Sequence, residues 1–233
     1  MFAFRASLDP DSPRGARVEV AFTDASVDLQ SGKPGFAGVL DVLVAEAGVP
    51  FARLSQVHGD DVVVVTEEPA AGPDDPVDHA DALVTARRRT GLMIRVADCV
   101  PVVLADRDAG VVGAVHAGRR GVELDVVTRA VERMRELGAQ RLESWIGPHV
   151  CGRCYEVPAA MRDEVAAAVP ETYAETSWGT PGLDLGAGVE VQLARAGASV
   201  VRVPGCTLED DRFHSYRRDG AASGRIAGLV WIR

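Results

Sequence analysis

Apolar positions recur along this chain with two periods, and the switches between them outline its elements. From Arg17 to Phe22 apolar and polar residues alternate, as on a half-buried strand. From Phe36 to Ala47 the spacing changes to three and four: Val39, Leu40, Leu43 and Val44 share one helical face, and Gly48 supplies a stop. Asp61 to Thr66 is a β-branched run that predicts a strand. Glu67 to His79, with its prolines and acids, predicts an exposed loop. Three apolar runs follow closely, Leu92 to Ala97, Val100 to Ala105 and Gly110 to Val115, with hairpin-turn composition at Asp106 to Ala109. Val122 to Leu137 carries the clearest helical pattern, with Val127, Ala130, Val131, Met134 and Leu137 on one face and Gly138 beyond its end. A strand at Arg141 to Ile146, helices at Pro158 to Val169 and Leu185 to Ala196, and strands at Ser199 to Val203 and Ile226 to Ile232 complete the pattern. Strands and helices intermix without strict alternation, which predicts an α+β arrangement rather than a doubly wound sheet. No repeat, low-complexity tract or linker interrupts it, so residues 1–233 are expected to form a single domain.

Composition narrows the function. A chain of 233 residues that is 47% hydrophobic can bury a full core. Its net charge of −9 disfavours general nucleic-acid binding, which needs a basic face. Lys33 is the only lysine, so positive charge is almost entirely arginine. The N-terminus lacks a basic segment followed by an apolar stretch, and no apolar run approaches the roughly 20 residues that span a bilayer. A soluble, cytoplasmic protein is expected, without membrane or obligate protein partner. In a reducing compartment the four cysteines, Cys99, Cys151, Cys154 and Cys206, are better read as thiols or metal ligands than as disulfides.

Three residues beside turns stand out as metal ligands: His58 in Gln56-Val-His-Gly59, Cys99 in Ala97-Asp-Cys99, and His116 in Val115-His-Ala-Gly118. Two imidazoles and a thiolate suit zinc, and three protein ligands leave a position open for water or substrate, as in a catalytic site. Spacings of 41 and 17 residues are unlike those of a zinc finger. Each of the three, taken alone, reads more readily as a packed core residue than as a ligand; their shared setting beside turns at strand ends is what lifts them together. Asp98 is a candidate to orient the neighbouring ligand, or a paired acid turned into the core. Cys151-Gly-Arg-Cys154 resembles half of a four-cysteine site or a redox pair. No second such motif exists and Cys206 alone does not complete a four-cysteine set, so a structural or loop role is expected. Arg119 and Arg120, at the start of a helix, form a candidate phosphate site. Arg212, Arg217, Arg218 and Arg225 surround Phe213-His-Ser-Tyr216 as a second basic cluster suited to a base or a phosphate.

The ordered set Gln56-Val-His-Gly59, Ala80-Asp-Ala-Leu83, Ala97-Asp-Cys-Val-Pro-Val102, Val115-His-Ala-Gly118, Ile146-Gly-Pro148, Cys154-Tyr-Glu-Val157, Cys206-Thr207 and Ser215-Tyr-Arg-Arg-Asp219 resembles the laccase-domain family, also called peptidoglycan editing factors. The resemblance runs from about Leu54 to the C-terminus. It departs from the family at Phe22 to Ser31, where a glycine-rich turn is usual, at Arg119, which replaces a tryptophan, and at His214, which replaces a common phenylalanine. The resemblance implies a four-layer α/β/β/α sandwich related to cysteine-hydrolase-like domains. It implies a zinc-dependent purine nucleoside enzyme that splits adenosine, inosine and methylthioadenosine with phosphate and deaminates adenosine with water. His58, Cys99 and His116 match the family's Zn2+ ligands, and Arg119, Arg120 and Arg217 are the expected contacts for substrate or phosphate. Two other readings stay open: an amide hydrolase with Cys99 as nucleophile and a histidine as base, and a non-enzymatic editing module for peptidoglycan precursors. A multicopper oxidase is disfavoured, because five histidines are too few for several copper centres.

Overall fold

The computed structural model describes residues 1–13, 15–69, 72 and 77–233. Its strands are β1 (Phe2–Leu8), β2 (Val18–Thr23), β3 (Phe51–Ala52), β4 (Val62–Val64), β5 (Ala82–Thr85), β6 (Gly91–Val96), β7 (Val100–Asp106), β8 (Val111–Ala117), β9 (Glu143–Ile146), β10 (Tyr173–Glu175), β11 (Pro181–Leu183), β12 (Ser199–Arg202) and β13 (Ile226–Ile232). Its α-helices are α1 (Phe36–Ala47), α2 (Arg119–Glu123), α3 (Val126–Glu136), α4 (Ala159–Ala168), α5 (Leu185–Arg195) and α6 (Tyr216–Asp219). One sheet has the order β1-β2-β13-β6-β3 and the other β12-β9-β7-β8-β5-β4, with β10 and β11 paired separately.

The two sheets stack face to face and each is covered on its outer side by helices, giving four α/β/β/α layers. Alternate residues of single strands show the layering. On β13, Val230 and Ile232 face the core between the sheets, with Val20, Phe22, Val103 and Ala114, whereas Leu229 and Trp231 pack outward against Leu40 and Leu43 of α1. On β7, Val103 and Ala105 point between the sheets, while Val102 and Leu104 meet Val127 and Val131 of α3 and Val189 and Leu193 of α5. Strands buried on both faces read as unbroken apolar runs, which is why β7, β8 and β13 stand out in the sequence. At Gly113 of β8 an added Cβ would lie 2.8 Å from the Met134 sulfur, so α3 sits directly on the sheet.

Several expected elements change form. The strand near Arg17 is buried along all of β2 rather than half-buried. Its one charge, Glu19, is satisfied by Arg5 and Arg17. The run from Asp61 shrinks to β4 at the edge of the six-stranded sheet. The helix expected over 122–137 breaks at Asp125, which adopts φ 58° and caps α3 by accepting from the Thr128 amide. β1, β3, β5, β10, β11 and α6 were not expected from periodicity, being short or, in β1, exposed on alternate residues. Of the loop expected over 67–79, residues 70, 71 and 73–76 lie outside the described residues; Glu67, Glu68, Asp78 and His79 are exposed. No helix among the described residues is long and apolar enough to cross a membrane.

The connection that matters most is Ala97-Asp98-Cys99. It carries the chain from β6 in one sheet to β7 in the other, so Cys99 lies where the two sheets meet.

Candidate metal centre

His58, Cys99 and His116 come together. Their ligand atoms all lie within 4.8 Å of one another. The Cys99 sulfur is 3.8 Å from His58 Nε2, and the two imidazoles meet edge to face with centroids 4.7 Å apart. Tetrahedral zinc, with Zn–S near 2.3 Å and Zn–N near 2.05 Å, places such a sulfur and nitrogen about 3.5 Å apart. The donor set therefore fits one small cation without rebuilding. His116 is buried on β8 opposite Pro101, Cys99 is half-buried, and His58 is exposed at the rim.

The organiser of this cluster is Asp81, which the sequence reading left without a role. Wholly buried just ahead of β5, it accepts hydrogen bonds from the amides of Val57 at 3.2 Å, His58 at 3.0 Å and Gly59 at 2.6 Å, and from His116 Nδ1–H at 2.7 Å. A carboxylate can only accept, so Nδ1 carries a hydrogen and Nε2 is the ring nitrogen left for the cluster. The three amide bonds hold His58 at φ 61°, a left-handed conformation unusual for a side-chain-bearing residue. Close packing finishes the arrangement: a Cβ on Gly118 would lie 2.7 Å from His58 Cδ2 and 3.3 Å from the Cys99 sulfur. A charged residue placed directly before an apolar strand was the available signal for Asp81, since such a residue is buried only when paired.

Asp98 does not orient a metal ligand. It adopts φ 86° and accepts from Thr207 Oγ1 at 2.7 Å and from the Arg217 amide at 2.7 Å, so it ties the C-terminal segment to the sheet crossing. That makes it the paired, buried acid of the two alternatives.

The charges reinforce one another. Burial opposes ionisation of Cys99, but the charge of His116 and hydrogen bonds from both imidazoles outweigh it and hold the thiol well below its ordinary range. Burial likewise opposes protonation of His116, yet the Cys99 thiolate and Asp81 hold its imidazole well above the usual value. Both shifts favour a thiolate beside a cationic imidazole, and a cation at this position would need His116 Nε2 unprotonated.

The cluster opens into a cleft of about 620 Å³. Tyr155, Tyr216 and Arg217 form part of its wall, and the Arg217 guanidinium lies 4.4 Å from the centre of the Tyr155 ring. Arg53, Arg95 and Arg225 form another part. Arg95 has its pKa lowered to about 10 by burial and by the charges of Arg53 and Arg225. Gln56 locks the Arg95 backbone through a bond in each direction, at 2.7 and 2.8 Å. Of the arginines expected at the site, Arg217 lines the cleft. Arg119 and Arg120 do not: Arg119 pairs with Glu123 at 3.0 Å and Arg120 is exposed on α2. In the second basic cluster Arg225 also reaches the cleft, whereas Arg212 pairs with Asp210 and Arg218 with Asp219. Arg53 and Arg95 escaped the sequence reading, although an arginine inside the apolar run of β6 was a visible irregularity.

A family model described as multi-copper polyphenol oxidoreductase laccase matches residues 39–233. A Streptomyces griseus protein named purine nucleoside phosphorylase is 53% identical over 182 residues, covering 77% of this chain and 73% of its own. A Mycobacterium tuberculosis protein with the same name is 48% identical over 196 residues, covering 82% of this chain and 76% of its own. Among solved structures, YlmD from Geobacillus stearothermophilus superposes with a TM-score of 0.82 at 25% identity, over 98% of this chain and all of that one. The Neisseria meningitidis protein NMB0706 does so with a TM-score of 0.78 at 26% identity, over 98% of each chain.

Proposed function

This chain belongs to the family whose model is described as multi-copper polyphenol oxidoreductase laccase, and from that premise we propose that it is a zinc-dependent purine nucleoside phosphorylase. The observation that carries the reading is the convergence of His58, Cys99 and His116 at one end of an arginine- and tyrosine-lined cleft. The names of the relatives support the nucleoside class. The donor set supports zinc over the several coppers of the family description, because only two of the five histidines meet. His149 Nδ1 bonds the Gly147 carbonyl and His214 Nε2 bonds the Val27 carbonyl.

His58, Cys99 and His116 would hold the zinc, which would supply a Lewis acid. The chain's own residues supply the rest. Asp81 fixes the His116 tautomer and the His58 backbone. Tyr155 and Tyr216 offer aromatic faces for a purine, and Arg217 lies over one of them. Arg53, Arg95 and Arg225 bring positive charge, and among the described residues no carboxylate pairs with Arg95, which suits a phosphate dianion. In phosphorolysis a phosphate oxygen bonds to C1′ of the ribose while the C1′–N9 bond breaks. Its electron pair leaves with the base, which takes up a proton. Adenosine, inosine and methylthioadenosine all present that bond. Deamination of adenosine, in which water adds at C6 and ammonia leaves, belongs to the same reading. Arg217 is the one of the three expected phosphate contacts that the reading retains. A cytoplasmic location goes with it, since four free cysteines suit a reducing compartment.

The test is metal content by mass spectrometry on wild type and on His58→Ala, Cys99→Ala and His116→Ala, with adenosine turnover followed with and without phosphate on the same samples. Each variant is expected to lose one zinc equivalent and at least 100-fold in adenine formation, a typical scale for losing a group that acts in the transition state. Variants that keep both metal and turnover would sink the reading.

A second reading draws on the Cys99–His116–Asp81 line, in which a low-pKa thiol, an imidazole and an orienting carboxylate also describe a cysteine hydrolase. A chelator separates the two: it abolishes zinc-dependent turnover and leaves a thiolate hydrolase active.

A further inference from the structure

We propose that Cys151, Cys154, Cys206 and Glu209 form a second metal site, closed and structural, for a thiophilic divalent cation such as zinc. The ligand atoms of these four residues all lie within 4.8 Å of one another, although they come from two segments more than fifty residues apart. Cys206 does not complete a four-cysteine set, and Glu209 offers the fourth donor instead.

The backbone is arranged as a sulfur site needs. Cys151 and Cys154 face each other across a turn closed by the Cys154 amide on the Cys151 carbonyl at 2.9 Å. The Arg153 amide bonds the Cys151 sulfur, and the Cys151 amide bonds the Cys206 sulfur at 3.4 Å. Cys206 is brought alongside by a parallel bridge between it and His149, and the Asp210 amide closes the next turn on the Cys206 carbonyl at 3.0 Å. Glu209 Oε2 lies 4.0 Å from the Cys151 sulfur. Its other partner, Arg153, is 3.9 Å away and largely exposed, a contact worth little in water. No disulfide links the four cysteines. Three thiolates and a carboxylate complete a tetrahedron with no open position, which is the pattern of structural zinc.

The placement says what such an ion does. Cys154 directly precedes Tyr155 in the cleft wall, and Cys206 directly precedes Thr207, which holds Asp98 beside Cys99. A cation here clamps both segments behind the first centre without touching substrate.

The experiment is metal content by mass spectrometry on protein purified without chelator, for wild type, Cys206→Ser, Glu209→Gln and His58→Ala. Two zinc equivalents are expected in wild type, one in Cys206→Ser and one in His58→Ala. Glu209→Gln, an exposed change that preserves the fold, is expected to release its second zinc at an at least ~10-fold lower concentration of competing chelator. After cobalt exchange, Cys206→Ser should lose most of the sulfur-to-metal absorption and His58→Ala little, because this site holds three thiolates and the other one. Unchanged metal content in Cys206→Ser and Glu209→Gln would overturn the site, as would a disulfide mass deficit at these cysteines in unreduced protein. A single zinc lost in His58→Ala and kept in Cys206→Ser would refute this site and leave the proposed function standing. A single zinc with the opposite pattern would support this site and refute the other centre.

Discussion

Asp81 shows how much one buried side chain can determine. Its two oxygens take four hydrogen bonds, and they set both the backbone of one proposed ligand and the tautomer of another. Burial alone would raise its pKa, but the His116 and Gly59 bonds hold it below the ordinary carboxylate value. Its contribution to stability is therefore present above the unfolded value near 3.8 and is lost as pH falls through the lower, folded one. Asp81→Asn is expected to weaken zinc retention by ~10–100-fold, read by chelator competition, because the replaced group orients a ligand. It is also expected to flatten the acid side of a plot of melting temperature against pH. An unchanged acid limb would show that Asp81 is not a major source of that dependence.

At the scale of elements, the break between α2 and α3 depends on one residue. Asp125 sits in the left-handed region and its side chain caps the following helix. Asp125→Ala removes the cap and keeps a Cβ at positive φ, so it is expected to cost about 1–2 kcal/mol in urea unfolding. Asp125→Gly also removes the cap but relieves the backbone, and should cost less. Equal losses would mean that conformation at this position contributes nothing. Val122 to Leu137 was legible as helix from its apolar spacing. The break was not, because a single aspartate is tolerated within a helical pattern and only its dihedral reveals the corner. β5 was missed for the opposite reason: four buried residues are too few for a period to show.

Over the whole molecule, the two sheets share one interior. Phe22 of the first sheet lies so close to the loop after β9 of the second that a Cβ on Gly147 would meet its ring at 2.3 Å. We read residues 1–233 as one domain on that account. Phe22→Ala is expected to lower stability by about 3–5 kcal/mol while far- and near-ultraviolet circular dichroism still report one coincident transition. Two separate transitions would show that the sheets unfold as independent units.

Taken by itself, the sequence determined the class of the fold and the long apolar strands β7, β8 and β13, and it singled out the three proposed zinc ligands. Those features live in local pattern: period, β-branching, and the few residue types able to bind a soft cation. Tertiary structure alone decided what the ligands rest on and what faces them. Asp81, Arg53 and Arg95 are distant in sequence from most of the groups they serve, and only the folding of two sheets around a shared crossing at Cys99 brings Arg53 and Arg95 to one cleft and Asp81 to His116. The same applies to Cys206 and Glu209, whose meeting with Cys151 and Cys154 depends on a parallel bridge that no periodicity records. Spacing along a chain constrains neighbours within a turn or two; proximity across more than fifty residues is set by packing.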